Sequence, residues 1–190
     1  MKKIVLASNN KGKIKEFREL FPNEYEIVTM GEIGFDKEIE ETGKTFFENA
    51  LIKAKTISNF CGLDAIADDS GLMVECLGGA PGIYSARYAG EHANDAKNNA
   101  LLLKNMNGQT NRKARFHSSI VLFRRDGTVI EGKGETYGRI LLKAEGVNGF
   151  GYDPLFFSDD LGKSFGEATA DEKNSVSHRK RALIDLLNRI

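Results

Sequence analysis

The sequence predicts an α/β protein built on a mixed β-sheet. Early in the chain, short apolar runs alternate with segments of helical periodicity, the order that βαβ units produce. Later, two strand-like runs flank Arg124-Arg125-Asp126-Gly127, a hairpin signal that adds antiparallel pairing. An amphipathic helical stripe closes the chain. With 190 residues and no repeat, linker or low-complexity tract, residues 1–190 are expected to form a single domain with a substantial core.

Residues 3–7 read as a buried first strand, followed at once by Ser8-Asn9-Asn10-Lys11-Gly12-Lys13. Ile14, Phe17, Leu20 and Phe21 then share one helical face, and Pro22-Asn23 ends that helix. Residues 26–30 read as a second strand, and the polar, acidic stretch 33–44 as an irregular connection. Thr45-Phe46-Phe47-Glu48 has capping-box spacing and opens a helix to about residue 60, with Phe47, Ala50, Ala54 and Ile57 inward. Residues 63–67 read as a buried strand that delivers Asp68 and Asp69 into a turn, and 72–77 as another strand. Gly78-Gly79-Ala80-Pro81-Gly82 is a loop by composition. Residues 95–106 read as a helix, 114–123 and 128–133 as the hairpin, 146–154 as glycine-rich loop and 155–157 as a short strand. Leu183, Leu186, Leu187 and Ile190 form the stripe of the last helix.

Lys plus Arg and Asp plus Glu balance at 27 each. No global field therefore draws the chain to a polynucleotide or a membrane surface, and any phosphate site must be local. Cys61 and Cys76 lack metal-ligand spacing, so a reduced, cytoplasmic setting is expected. The apolar part of residues 1–8 is too short for a signal peptide, and no run approaches the roughly 18 residues of a membrane span. His92 reads as loop surface and His117 as a strand residue, facing solvent or satisfied in the core.

Four segments carry chemistry. In Ala67-Asp68-Asp69-Ser70-Gly71, adjacent carboxylates repel unless a cation joins them, which fits a divalent metal acting on phosphates. The same residues also suit an Asx-type turn. Ser8 to Lys13 lies at a strand-to-helix junction, where free amides and the positive helix end favour an anion, with Lys13 adding charge. It has neither P-loop nor G-x-G-x-x-G spacing, and an Asn-capped helix with exposed lysines is the alternative. Glu40-Glu41-Thr42-Gly43 supplies further carboxylates, as metal ligands or as dipole partners of the next helix.

Asn148-Gly149-Phe150-Gly151-Tyr152-Asp153-Pro154 combines a flat ring, glycines that allow close approach and a carboxylate, the features of a base pocket or of a tight turn with a packed aromatic. Lys173-Asn174-Ser175-Val176-Ser177-His178-Arg179 precedes the last helix. His178 and Arg179 can donate to a base carbonyl and Lys173 can reach phosphate, although a basic helix start is more ordinarily solvated surface. The cysteines have no nearby histidine for nucleophilic catalysis, and Ser70-Gly71 is no G-x-S-x-G elbow.

Taken together, these segments resemble the inosine triphosphate pyrophosphatase family, its bacterial dITP/XTP pyrophosphatases in particular. The resemblance rests on Ser8 to Lys13, residues 40–46, Glu48-Asn49-Ala50, residues 67–72, the long stretch 77–88, residues 149–154 and Ser177-His178-Arg179. They span almost the whole chain in the family's order. Ser8 stands where many relatives carry Thr, and the hydroxyl is kept.

The resemblance implies Mg²⁺-dependent hydrolysis of non-standard purine nucleoside triphosphates (dITP, ITP, XTP) to the monophosphate and pyrophosphate. It also implies an elongated, two-lobed fold around a long mixed sheet, and a homodimer. It assigns Asp69 as general base and metal ligand with Asp68 beside it, and the Glu40–Glu41 pair to the metal region. Ser8, Asn9, Asn10, Lys11, Gly12, Lys13 and Ser70 hold substrate, and Phe150, Gly151, Tyr152, Asp153, Lys173, His178 and Arg179 complete the nucleotide site. Rival readings are a phosphatase for other modified nucleotides, pyrimidines included, and a nucleotide-binding sensor or nucleic-acid-binding module without turnover, the last disfavoured by neutral charge and the missing basic stripe.

Overall fold

A computed structural model describes residues 2–90 and 94–190; His92 lies outside the described residues. Seven strands form one mixed sheet in the order β2-β1-β3-β4-β5-β6-β7. β1 (Lys2–Leu6) runs parallel to β2 (Tyr25–Thr29) and to β3 (Ala65–Val74). At the other edge, β5 (Val129–Ile140), β6 (Phe156–Ser158) and β7 (Lys163–Ser164) pair antiparallel. β4 (Lys113–Phe123) lies between β3 and β5. The α/β class and the mixed sheet expected from the sequence are both present.

By compactness the chain divides into two units: Met1–Asp69 with Ser118–Gly134 and Arg179–Ile190, and Ser70–His117 with Glu135–His178. In the first unit β1, β3 and β4 bury apolar residues on both faces of the sheet, so these stretches do not alternate apolar and polar. Ile4, Leu6, Ile66, Ile120 and Leu122 pack on Phe17 and Phe21, carried by α1 (Lys11–Leu20) and its cap, and on Ala182, Leu183 and Leu186 of α5 (His178–Leu187). The intervening residues Val5, Ala7, Ala65, Ala67 and Val121 face Ala50, Ala54 and Ile57 of α2 (Phe46–Cys61). Alanines on both sides of that contact leave little bulk between α2 and the sheet. Thr45 caps α2 by accepting from the Glu48 amide at 3.1 Å, as its spacing predicts.

The second unit has its own core. Leu72, Val74, Phe116 and Ile140 of the strands pack with Leu102 and Met106 at α3 (Asp95–Asn105) and with Tyr152, Leu155, Phe156 and Phe165. The Phe116 and Phe156 rings meet at 4.7 Å between centroids, tilted by 60°. His117 is a β4 residue whose Nδ1 lies 3.0 Å from Glu135 Oε1.

Several boundaries differ from the sequence expectation. β3 continues straight through Asp68-Asp69-Ser70-Gly71 to Val74, so there is no turn there and residues 72–74 belong to the same strand. Residues 75–77 form a 3-10 turn instead. β5 extends to Ile140, although its glycines hide a strand from composition. A short helix, α4 (Ala170–Val176), precedes α5. Its sequence has no apolar stripe, but Thr169 and Glu172 form a complete capping box. Lys173 is therefore inside a helix rather than ahead of one. Among the described residues no helix is long and apolar enough to cross a membrane.

Candidate active site

Strand alternation decides what Asp68 and Asp69 do. Successive side chains point to opposite faces, so Asp68 follows Ile66 toward α1 and α5, and Asp69 follows Ala67 toward α2. The two carboxylates are neighbours in sequence with separate surroundings. Both are buried, at 1% and 6% exposure.

Both carboxylate oxygens of Asp68 meet donors. Oδ1 accepts from Ser118 Oγ at 2.5 Å. Oδ2 receives Lys13 Nζ at 2.8 Å, Arg179 Nη2 at 3.2 Å and Arg179 Nε at 3.3 Å. Arg179 itself is buried and also donates from Nη1 to Glu16. Burial alone would push the Asp68 carboxyl up, but Arg179 and Lys13 outweigh it and hold the group well below the usual carboxylate range. Asp68 is an anchored anion.

Asp69 has a different environment. Lys53 Nζ, from α2, approaches Oδ1 at 3.3 Å, and Asn49 Nδ2 donates to Oδ2 at 3.3 Å. Lys53 also pairs with Glu41 Oε1 at 2.6 Å and donates to the Asp68 carbonyl at 3.0 Å. Here burial prevails over the attraction of Lys53 and Lys13, and it raises the Asp69 pKa, with Glu41 and Asp68 adding repulsion. Glu40 is exposed, whereas Glu41 is brought to Lys53.

At the β1–α1 junction the Asn-capped helix start is observed, with one of its lysines exposed and one turned inward. Asn10 caps α1 by accepting from the Lys13 amide at 3.0 Å, and Ser8 Oγ accepts from the Asn10 amide at 3.2 Å. Asn9 and Lys11 are exposed, Gly12 is half-buried, and Lys13 is turned inward onto Asp68. The amides of the first helical turn lie at the positive end of α1, where an anion is favoured.

The cluster suits a magnesium ion by its chemistry. Carboxylates and cations interleave here: Asp68 meets Lys13 and Arg179, Arg179 also meets Glu16, and Asp69 and Glu41 both pair with Lys53. Mg²⁺ takes one or two carboxylates and completes its octahedron with water and phosphate. Among the described residues no group of three or more His, Cys, Asp or Glu forms a protein-only metal cage.

A second group of predicted residues meets in the other unit. Gly149 has φ +74°, and a Cβ there would stand 2.1 Å from Asp153 Oδ2, so only glycine lets the loop close. That oxygen accepts from the Phe150 amide at 2.9 Å and from Lys173 Nζ at 2.6 Å. The Lys173 ammonium lies 4.5 Å from the centre of the Phe150 ring, a cation–π distance. Gly151 is held at both backbone groups by α3: its amide donates to Asp95 at 2.7 Å and its carbonyl accepts from Asn99 at 3.0 Å.

Tyr152 is a core residue whose hydroxyl donates to the Ser85 carbonyl at 2.7 Å, and burial pushes its pKa up. His178 is buried with its ring stacked on Phe116 at 4.9 Å. Lys173 is thus committed to Asp153 and Phe150 rather than extended toward phosphate, and the Phe150 and Gly151 amides already have acceptors. Ser70 follows Asp69 in β3, half-buried.

Sequence reasoning missed Lys53, Asn49, Glu16 and Ser118. Asn49 and Lys53 carried a signal: four residues apart, they flank the Ala50–Ala54 stripe of α2, on the side facing the sheet. Glu16 lies one helical turn after Lys13. Ser118 had no signal beyond its place in a strand.

An α/β sheet with an anion-favouring helix start and a buried carboxylate–lysine cluster defines a protein equipped for phosphate-ester or phosphoanhydride ligands. The chain belongs to the Ham1 family, whose model matches residues 4–189, which bears out the resemblance read from the motifs. It is 48% identical over 192 residues to the dITP/XTP pyrophosphatase of Clostridium perfringens, covering 96% of this chain and 94% of that one. It is also 48% identical to the dITP/XTP pyrophosphatase of Haemophilus influenzae, covering 99% and 98%. A HAM1 protein from Coxiella burnetii superposes with a TM-score of 0.90 at 39% identity over 100% of both chains. The Staphylococcus aureus Ham1 protein gives 0.88 at 42% identity, over 99% of this chain and 97% of that one.

Proposed function

We propose that this chain is a Mg²⁺-dependent nucleoside triphosphate pyrophosphatase, one domain over residues 1–190, that hydrolyses dITP, ITP or XTP to the monophosphate and pyrophosphate. The observation that carries it is the division of labour at the two aspartates. Asp68 is held by Ser118, Lys13 and Arg179, while Asp69 and Glu41 meet at Lys53. The dITP/XTP pyrophosphatase relatives support that reading.

Glu41 and Asp69 are the residues that would hold the magnesium, and Glu40, exposed, is the weaker candidate. When bound, the metal supplies charge neutralisation at the phosphate oxygens. Asp69 accepts the proton of a water that attacks the α-phosphorus in line. The pyrophosphate leaving group is met by Lys13 and the amide end of α1, with Ser8, Asn10 and Ser70 lending polar groups. Positioning and charge carry such a reaction, and no covalent nucleophile is required.

The base end is assigned to Phe150, with Lys173 and Asp153 against it, and to His178. Hypoxanthine and xanthine carry a carbonyl at C6 that accepts from an ammonium donor, where adenine presents an amino group. A site built on such bonds discriminates by up to ~10⁴. The homodimer and the cytoplasmic setting belong to the same proposal.

The test is a panel of ITP, XTP, dITP, GTP and ATP with Mg²⁺, reading pyrophosphate against phosphate. Pyrophosphate from the first three, with slow turnover of GTP and ATP, is the expected result. Release of phosphate alone, or equal rates on all five, overturns the proposal.

A further inference from the structure

Asn49 lies at the fourth residue of α2, completely buried. A buried carboxamide needs partners at both ends, and here each end serves a different carboxylate-bearing segment. Oδ1 accepts the Gly43 amide at 2.8 Å, and Nδ2 donates to Asp69 Oδ2 at 3.3 Å. Gly43 N–H can only donate, which fixes the amide's orientation and turns its NH₂ toward Asp69. The segment carrying Glu41 and the strand carrying Asp69 are thereby pinned to one side chain, itself fixed where its backbone amide donates to the Thr45 carbonyl at 3.1 Å.

The fit around Gly43 is close. A Cβ there would meet Asn49 Oδ1 at 2.6 Å, Glu48 Cβ at 2.7 Å and the Asn49 backbone nitrogen at 2.9 Å. Two of those atoms are not the ends of flexible chains, so any side chain at position 43 must push the segment away. Glu48 adds a second tie, its Oε2 accepting the Lys44 amide at 2.5 Å. Without these ties Glu41 and Asp69 repel each other across Lys53, which pairs with both.

We propose that Asn49, locked against Gly43, is a positioning residue that sets the Glu41–Asp69 pair in register to take a divalent cation. This rests on the metal reading above and adds a determinant to it. Outer partners of metal-binding carboxylates typically change affinity by ~10–100-fold when removed. Because Asn49 and Gly43 act through one hydrogen bond, their effects are not independent.

The experiment titrates Mn²⁺ into the full chain by electron paramagnetic resonance, in the wild type, Asn49→Ala, Gly43→Ala and the double variant, with thermal unfolding in parallel. The wild type is expected to bind Mn²⁺, each single variant to bind ~10–100-fold more weakly, and the double variant no more weakly than the worse single. Wild-type affinity in both single variants, with only the melting temperature lowered, overturns the inference, as do effects that multiply in the double variant. If Asn49→Ala does not fold, an unchanged affinity in Gly43→Ala overturns it alone. A wild type that takes up no Mn²⁺ overturns the metal reading and this inference together, a failure distinct from loss in the variants.

Discussion

Arg179 reaches Asp68 from 111 positions further along the chain, placing Nη2 at 3.2 Å and Nε at 3.3 Å from the same oxygen. The guanidinium's remaining nitrogen goes to Glu16, on α1. The contact therefore joins the central strand β3 to the first and last helices of its unit, with all three charges withdrawn from solvent. Removing one member of such a group leaves the others buried without compensation.

Asp68→Asn is expected to cost about 3–5 kcal/mol at pH 7, measured by urea unfolding. The Asp68 pKa is depressed in the folded state, so its stabilisation is present above the unfolded value of 3.8 and lost as pH falls through the folded one. The gap between wild type and variant should therefore be as large at pH 5 as at pH 7, and close only in stronger acid. A gap that disappears near pH 6 would contradict the ion cluster.

Lys53→Met removes the ammonium that holds Glu41 and Asp69 in one place. Turnover of ITP with Mg²⁺ should fall on the order of 10²-fold, the scale of a lost preorganised charge. Circular dichroism separates this from unfolding, and a folded variant with near-normal turnover would exclude Lys53 from the site.

Phe150→Ala deletes the ring over which the base is proposed to stack. Stacking on an aromatic side chain contributes about 1–3 kcal/mol per base, so KM for ITP should rise roughly 10-fold or more, with kcat changed much less. An unchanged KM would leave Phe150 as a packing residue and Lys173 without a nucleotide to meet.

Thr169→Ala breaks the capping box that starts α4, at an expected cost of about 1 kcal/mol in chemical denaturation. α4 carries Lys173, so KM should rise with the loss of helix order while Mn²⁺ affinity at the other unit stays the same. A parallel loss of both would show that Thr169 acts on global stability alone.

Most of the sheet and the four longer helices were legible because their apolar positions repeat with the right period, and because Thr45 and Asn10 announce helix starts. The strand through Asp68 to Val74 was not, since Asp-Asp-Ser-Gly has the composition of a turn. Pairing in the sheet overrode that local preference, and in doing so sent the two acids to opposite faces. The candidate site was legible where sequence segments are unusual, as at Ser8 to Lys13 and Gly149 to Asp153. Lys53 and Glu16 look like ordinary surface charges on amphipathic helices, and only the helix packing shows that their ends turn inward. Lys173 illustrates the converse: its charge was evident, its partner Asp153 twenty positions away was not.

The first unit is assembled from three separated stretches, the last of which begins at Arg179. Chains emerge from the ribosome at about 5–20 residues per second, and N-terminal parts fold first where they can. β1, α1, α2 and the start of β3 are all available early, yet Asp68 then lacks the guanidinium that offsets its burial. Until α5 arrives, Lys13 is the counter-charge that Asp68 has from the earlier stretches. Completion of the cluster is thus timed by chain order: an unfinished chain holds both aspartates with Lys13 and Lys53, but not the second counter-charge of Asp68, Arg179.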